Sequence, residues 1–274
     1  MGWILPALFA GVVAIGVTVA IERWGGRIGG LIGSMPSTIV PATIGMAQMS
    51  HSEEMLSSAL YMTPVGMWIN GIFLLTWMLP TRWPSRWTKN LGTITALSLL
   101  AWGALSVTFI QGVHSLVEAG HELMYLSLLA TAGLLVTGIK VCSNAPPAPA
   151  GHRKVSPLTL VTRGVLAALA IAAAVLLAKA GSPLAAGVAA VFPAIFLTTM
   201  VSLWVSQGHA VQVGAVGPMI LGCTSVSVFA LLAAWTIPLW GIWVGCTVSW
   251  FGSVATVTLP AWRWLHPKNR PPSG

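Results

Sequence analysis

Apolar residues run along this chain in blocks about twenty residues long, far longer than the alternating segments of roughly ten from which a membrane barrel is built. Blocks of that length match helices that cross a bilayer, because backbone in hydrocarbon must satisfy its own amides and a helix does so within one segment. The pattern predicts nine spans, at 3–22, 27–49, 55–79, 90–111, 121–142, 158–180, 184–206, 211–235 and 238–260. The expected fold is an all-α polytopic transmembrane bundle. No basic stretch precedes the first block and no small-residue cleavage site comes before Glu22 and Arg23, so this block reads as a retained span and not a removable signal.

Composition agrees. With 56% hydrophobic residues, 7% charged residues and a mean hydropathy of +0.85, the chain has too little polar surface to cover a soluble globule of 274 residues. The net charge of +8 raises the question of an acidic partner, and the placement of the cations answers it. Nine spans put Arg23, Arg27, Arg82, Arg86, Lys89, Lys140, Arg153, Lys154, Arg163, Arg263, Lys268 and Arg270 on one side and leave Lys179 on the other. That is the positive-inside pattern, with the N-terminus outside and the C-terminus cytoplasmic, in a bacterial inner membrane. The charge reports orientation and lipid contact, and no nucleic-acid partner is implied. Cys142, Cys223 and Cys246 form no C-x-x-C pair, so neither a disulfide framework nor a zinc site follows, and no cofactor is expected.

The helical pattern breaks once, at a Pro/Ala-rich stretch from Ser143 to Lys154 that reads as a cytoplasmic linker. The parts on either side look alike. An ungapped shift of 157 residues lays Gly30 on Gly187, Pro36 on Pro193, Met62 on Met219 and Glu22 on Lys179. Five spans separate equivalent helices, so the second copy must be inverted. The expected organisation is repeat A at 1–111, a connector span with its linker at 112–157, repeat B at 158–262 and a basic tail at 263–274.

The stretch from Lys179 through Ala186-Gly187-Val188-Ala189-Ala190-Val191-Phe192-Pro193-Ala194, followed by Gly208-His209-Ala210 and Met219, resembles the GlpM-like family of small four-span bacterial membrane proteins. Gly29-Gly30-Leu31 and Met35-Pro36-Ser37-Thr38 are similar more faintly. The resemblance implies a fused pair of such units and carries no defined activity.

Candidate chemistry falls in two places. Gly26/Gly30 and Gly29/Gly33 are overlapping G-x-x-x-G pairs that suit a close helix crossing. Pro36 and Pro41 are expected to remove helix donors near mid-membrane, and Pro193 with Thr198 and Thr199 repeats that feature. Matched interruptions in inverted halves point to the central site of a transporter, with Ser37, Thr38, Gln48, Asn70 and Ser202 as further polar groups along the pathway. The ordinary alternative is that the prolines are simple kinks and the polar groups tie helices together. No Asp occurs, and Glu22, Glu53, Glu54, Glu118 and Glu122 all fall near span ends, which argues against a buried proton relay.

The second place is the outer rim. His114, Glu118, His121 and Glu122 share one helical face, and His51, Glu53 and Glu54 fall on the same side of the membrane, so the two groups together are a candidate site for a divalent transition metal. Against this, Ser50-His51-Ser52-Glu53 matches an S-x-x-E capping box, and Glu122 suits a helix start. His209 reads as a helix-end residue, and His152 and His266 lie among basic groups. Trp3, Trp24, Trp83, Trp87, Trp262 and Trp264 fit an interfacial belt, whereas Trp68, Trp102 and Trp204 fit internal packing. The sequence therefore favours a transporter or facilitator for a small solute or a divalent metal ion. A lipid-modifying intramembrane enzyme and an accessory membrane subunit remain as alternatives.

Overall fold

The computed structural model describes residues 4–24, 35–83, 86–144, 156–207 and 209–265, and among them every regular element is helical. In chain order these are α1 Ile4–Trp24, α2 Ile39–Met49, α3 Glu53–Thr76, α4 Leu79–Arg82, α5 Leu91–Glu118, α6 Leu123–Asn144, α7 Pro157–Lys179, α8 Pro183–Ala189, α9 Ala194–Gln207 and α10 His209–Ser253. A π-helical turn, Val254–Thr258, then leads into α11, Leu259–Leu265. Six helical runs among the described residues are long and apolar enough to cross a membrane. The last of them, 213–265, folds back on itself. Gly241 inside it has φ 76° and ψ 169°, and Thr236 ahead of the bend donates to the Gly245 carbonyl and pairs with the Ser249 hydroxyl beyond it.

Local chemistry sets the helix ends. Ser52, Asn90 and Ser156 cap α3, α5 and α7 by accepting from the amides of Met55, Thr93 and Thr159. The cap of α3 is thus Ser52, two residues later than the S-x-x-E pattern suggests, because the helix starts at Glu53 and places both Glu53 and Glu54 in its first turn. Two hairpin turns close on left-handed glycines. At Gly120 (φ 90°) the His121 amide reaches back to Leu116 and the Gly120 amide to Val117; at Gly181 (φ 77°) the Ser182 amide reaches Leu177 and the Gly181 amide reaches Ala178.

Helix α3 is the central post. Its buried residues run along most of its length, from Leu56 to Leu74, and it packs most extensively on α10, with α8, α6 and α5 around it. Helix α1 packs mainly on α7, where the Gly11 and Gly164 backbones meet; a Cβ on Gly11 would come 3.0 Å from the Gly164 carbonyl oxygen. The two run antiparallel, since Pro6 and Val175 meet over Gly45 while Gly11 and Ile15 meet Gly164. Helices α5 and α6 expose Leu97, Leu100, Val107, Leu128, Leu129 and Val136 on their outer faces. An apolar surface of that extent suits lipid and not water.

Candidate functional site

Two non-helical turns, the first break ahead of α2 and the second between α8 and α9, face each other across a cavity. Ahead of α2, Met35–Thr38 form a turn with the Ser37 amide and hydroxyl both bonded to the Met35 carbonyl. Between α8 and α9, residues 190–193 leave the helix before Ala194 starts it again. Met35, Thr38 and Ile39 from the first break and Ala190 through Phe192 with Ala194 through Phe196 from the second line one cavity. Met67, Ala167, Ala170, Ile171 and Val226 complete its wall. The space open to the centre of a water molecule is about 40 Å³, room for roughly three waters.

The prolines do not act as expected. Pro193 stands immediately before α9 and its carbonyl accepts from the Leu197 amide at 2.8 Å, so it occupies the capping position and deprives the helix of no donor. Pro41 lies in the first turn of α2, where an amide would have no intrahelical acceptor. Pro36 is buried in the turn ahead of α2. Pro193 thus marks a break between two helices, and Pro36 and Pro41 stand at a helix start.

The second break is fastened by a side chain 121 residues away in sequence. Asn70, fully buried on α3, donates from Nδ2 to the Val191 carbonyl at 2.7 Å, and its Oδ1 accepts from Trp102 Nε1 at 2.8 Å. The Trp102 ring in turn meets Phe192 edge to face, with ring centres 5.2 Å apart. One amide therefore ties α3, α5 and the break together and satisfies a carbonyl that the helix has released. Glycines allow this proximity. A Cβ on Gly187 would fall 2.1 Å from the Ala59 carbonyl oxygen, and one on Gly66 would fall 2.6 Å from Val191, so α8 can press on α3 only with hydrogens at both positions. Gly26, Gly29, Gly30 and Gly33 lie outside the described residues.

Arg163 is buried within the bundle, which the sequence reading did not anticipate. Counted with the cytoplasmic cations, it is only 2% exposed, and its guanidinium donates from Nε to Thr198 Oγ1 at 2.7 Å and from Nη2 to Thr199 Oγ1 at 3.0 Å. The Thr198 hydroxyl in turn donates to the Ala194 carbonyl at 2.8 Å. The fork thus grips α9 one turn beyond the cavity wall, and Arg163 stands one turn before Ala167 on α7. The signal available in sequence was a lone cation five residues inside an apolar run and beside Gly164.

Of the other expected pathway groups, Thr38 lines the cavity and makes no side-chain cap to α2. Ser37 is occupied by Met35, Ser202 is half-buried on α9 away from the cavity wall, and Gln48 is exposed.

At the rim, His51 Nε2 lies 3.0 Å from the Lys179 carbonyl oxygen and joins the α2–α3 turn to the end of α7. His114 Nδ1 and Glu118 Oε2 approach to 3.4 Å as an exposed pair one helical turn apart on α5. His121 lies exposed in the turn after Gly120, and the Glu122 carbonyl accepts from the Tyr125 amide at the start of α6. Glu53 and Glu54 are exposed. Among the described residues no three His, Cys, Asp or Glu side chains gather to hold a metal ion. The side chains of Glu22 and His209, and all of His152 and His266, lie outside the described residues.

No protein-family model matches the chain, and neither curated proteins nor solved structures give a match.

Proposed function

We propose that this protein is a membrane transporter or facilitator that passes a small solute through the cavity between the start of α2 and the break that separates α8 from α9. The observation that carries the reading is the placement of that cavity, with Met35, Thr38 and Ile39 on one wall and Ala190 to Phe196 on the other. Discontinuous helices bring polar backbone ends to a ligand at membrane depth, which continuous helices cannot do.

The reading includes nine spans arranged as inverted repeats. Its support is that α1 and α7, equivalent under the shift of 157 residues, are each other's main neighbours and run antiparallel, as a two-fold axis in the membrane plane demands. The likewise equivalent α3 and α10 also pair most extensively. In this scheme the GlpM-like resemblance describes one repeat unit. Transport proceeds by rocking one repeat against the other about the cavity, and Asn70 keeps the second break in shape as the walls move.

The test is flux in proteoliposomes. Uptake of labelled acetate, glycerol and manganous ion is measured for the parent protein and for Ala170→Trp, which fills the cavity from α7. Parent uptake of at least one solute, reduced about tenfold or more by Ala170→Trp but not by Ala104→Trp on the exposed face of α5, is the expected result. Equal uptake by a folded Ala170→Trp protein overturns the assignment.

A further inference from the structure

We infer that the cavity takes a small uncharged solute, a primary amide of about acetamide size, bound between the Thr38 hydroxyl and the Ala190 carbonyl. The inference deepens the transport reading and rests on it for movement across the membrane, though not for binding.

The wall decides the ligand's charge. Thr38 is the one polar side chain among the described residues that line the cavity, and the others are Ala, Val, Ile, Met and Phe. Arg163 is not part of that wall, and its guanidinium is engaged by Thr198 and Thr199. Among the described carboxylates, Glu53, Glu54, Glu118 and Glu122 are exposed at helix ends. An ion of either sign would give up its water here and meet no counter-charge on the wall.

Two polar groups on the wall are left to a ligand, one from each break. Thr38 lies in the turn ahead of α2, and its hydroxyl neither caps that helix nor bonds to another described residue. On the other wall, Ala190 is 6% exposed and stands where α8 ends. In a continuous helix the Ala194 amide would bond the Ala190 carbonyl; here it turns to Phe192, and no other described group donates to Ala190. The next carbonyl, that of Val191, is taken by Asn70. A buried carbonyl released from a helix in this way needs a donor, and a ligand N–H supplies one.

These groups and the size of the space narrow the solute. The Ala190 carbonyl only accepts, whereas the Thr38 hydroxyl can donate, so the ligand offers a donor to one wall and an acceptor to the other. A primary amide carries both on one planar group. Room for roughly three waters admits about four non-hydrogen atoms, and a methyl group fits the apolar remainder at Met67 and Val226. The thioethers of Met35 and Met67 are flexible enough to close around so small a shape. An amide also loses hydrogen bonds on entering hydrocarbon, so its passage through lipid alone is slow and a facilitated route is useful to it.

The test uses four planar compounds of nearly one outline: acetamide, acetone, acetate and acetamidinium, with charges of 0, 0, −1 and +1 and with no N–H on acetone. Ala170→Cys on the cavity wall is made in the full-length protein lacking Cys142, Cys223 and Cys246. The rate at which methyl methanethiosulfonate, a small uncharged reagent, modifies the introduced thiol is measured in detergent at constant ionic strength. Four atoms bind weakly, so each compound is titrated to about 100 mM. Acetamide is expected to slow modification about threefold at twice its Kd, acetone to do so less, and the two ions not at all. Ala104→Cys on the exposed face of α5 gains no protection. Thr38→Val weakens acetamide binding by about fivefold or more, and Thr38→Ser retains it. If Thr38→Val does not fold, the four compounds on the Thr38 protein decide; if the reagent does not reach the thiol, their protection of the unsubstituted protein against thermal unfolding decides. Protection by acetone, acetate or acetamidinium equal to that by acetamide, or none by acetamide, overturns the inference. Acetamide binding without acetamide uptake in proteoliposomes refutes transport alone, whereas acetate or manganous ion uptake that Ala170→Trp blocks, without acetamide binding, refutes the amide alone.

Discussion

Asn70→Leu isolates the bond that holds the second break open. Leucine keeps the branched skeleton and heavy-atom count of asparagine, so the substitution removes the polar groups while keeping the outline of the side chain, although its methyls are bulkier. Two buried partners then lose their bonds: the Val191 carbonyl at 2.7 Å and the Trp102 indole N–H at 2.8 Å. Each stranded group costs about 1–3 kcal/mol in soluble proteins, while interhelical bonds measured in membranes average about 0.6 kcal/mol because the unfolded chain in lipid also finds partners. The expected loss is therefore roughly 2 kcal/mol, with about 1 kcal/mol as the floor for two bonds. Thr63→Val on the same helix is the control. Its hydroxyl donates only to the Ala59 carbonyl one turn earlier, and removing it strands nothing, so its cost should stay within about 0.5 kcal/mol. Reversible unfolding in mixed micelles, followed by tryptophan fluorescence, gives both values, and solvent exchange at the amides of Ala190, Val191 and Phe192 reports whether the break itself loosens. Asn70→Leu stability equal to that of Thr63→Val would refute the argument that this bond shapes the break.

Other outcomes follow from the same geometry. Gly187→Ala places a Cβ 2.1 Å from the Ala59 carbonyl oxygen and should destabilise by about 1–3 kcal/mol, whereas Gly103→Ala, with nothing within 4 Å, should be neutral or stabilise by up to about 1 kcal/mol in the same unfolding assay. Pro193→Ala alone should leave helicity by circular dichroism and the protection of the break unchanged, because Pro193 sits at a capping position; a lengthened α9 would contradict this. Ser52→Ala should cost about 1 kcal/mol through loss of the α3 cap. In a background lacking the three buried cysteines, single cysteines at Ser52 and Gly181 should be modified from the same side of the membrane, since His51 meets Lys179, and opposite accessibility would break the proposed topology.

Apolar length alone located the helices, because a segment in lipid has only one way to satisfy its backbone and must be about twenty residues long to do so. Pro193 likewise announced that a helix is interrupted, and Pro36 that one begins. Their meaning was not legible: proline reads equally as kink or cap, and the choice is made by Asn70 reaching the Val191 carbonyl across 121 residues. Arg163 escaped for a related reason. Sequence counts a cation within a few residues of a span end as turned toward water, and only the Thr198 and Thr199 hydroxyls on another helix draw this one inward. The S-x-x-E match at Ser50 failed more simply, because Ser52 offers the same oxygen two residues later, immediately ahead of the first helical turn.

The pairing of α1 with α7 sets a schedule for biosynthesis. The Gly11 and Gly164 backbones that make the crossing are separated by about 150 residues. At a ribosomal pace of about 5–20 residues per second, the first helix waits roughly ten to thirty seconds in the bilayer before its main neighbour is made. During that interval lipid covers the face that α7 will occupy, and Leu5, Leu8, Phe9 and Val12, still exposed in the finished bundle, make lipid an adequate host. Assembly is therefore late and long-range, and a chain cut before residue 157 leaves α1 without the surface it was shaped to meet.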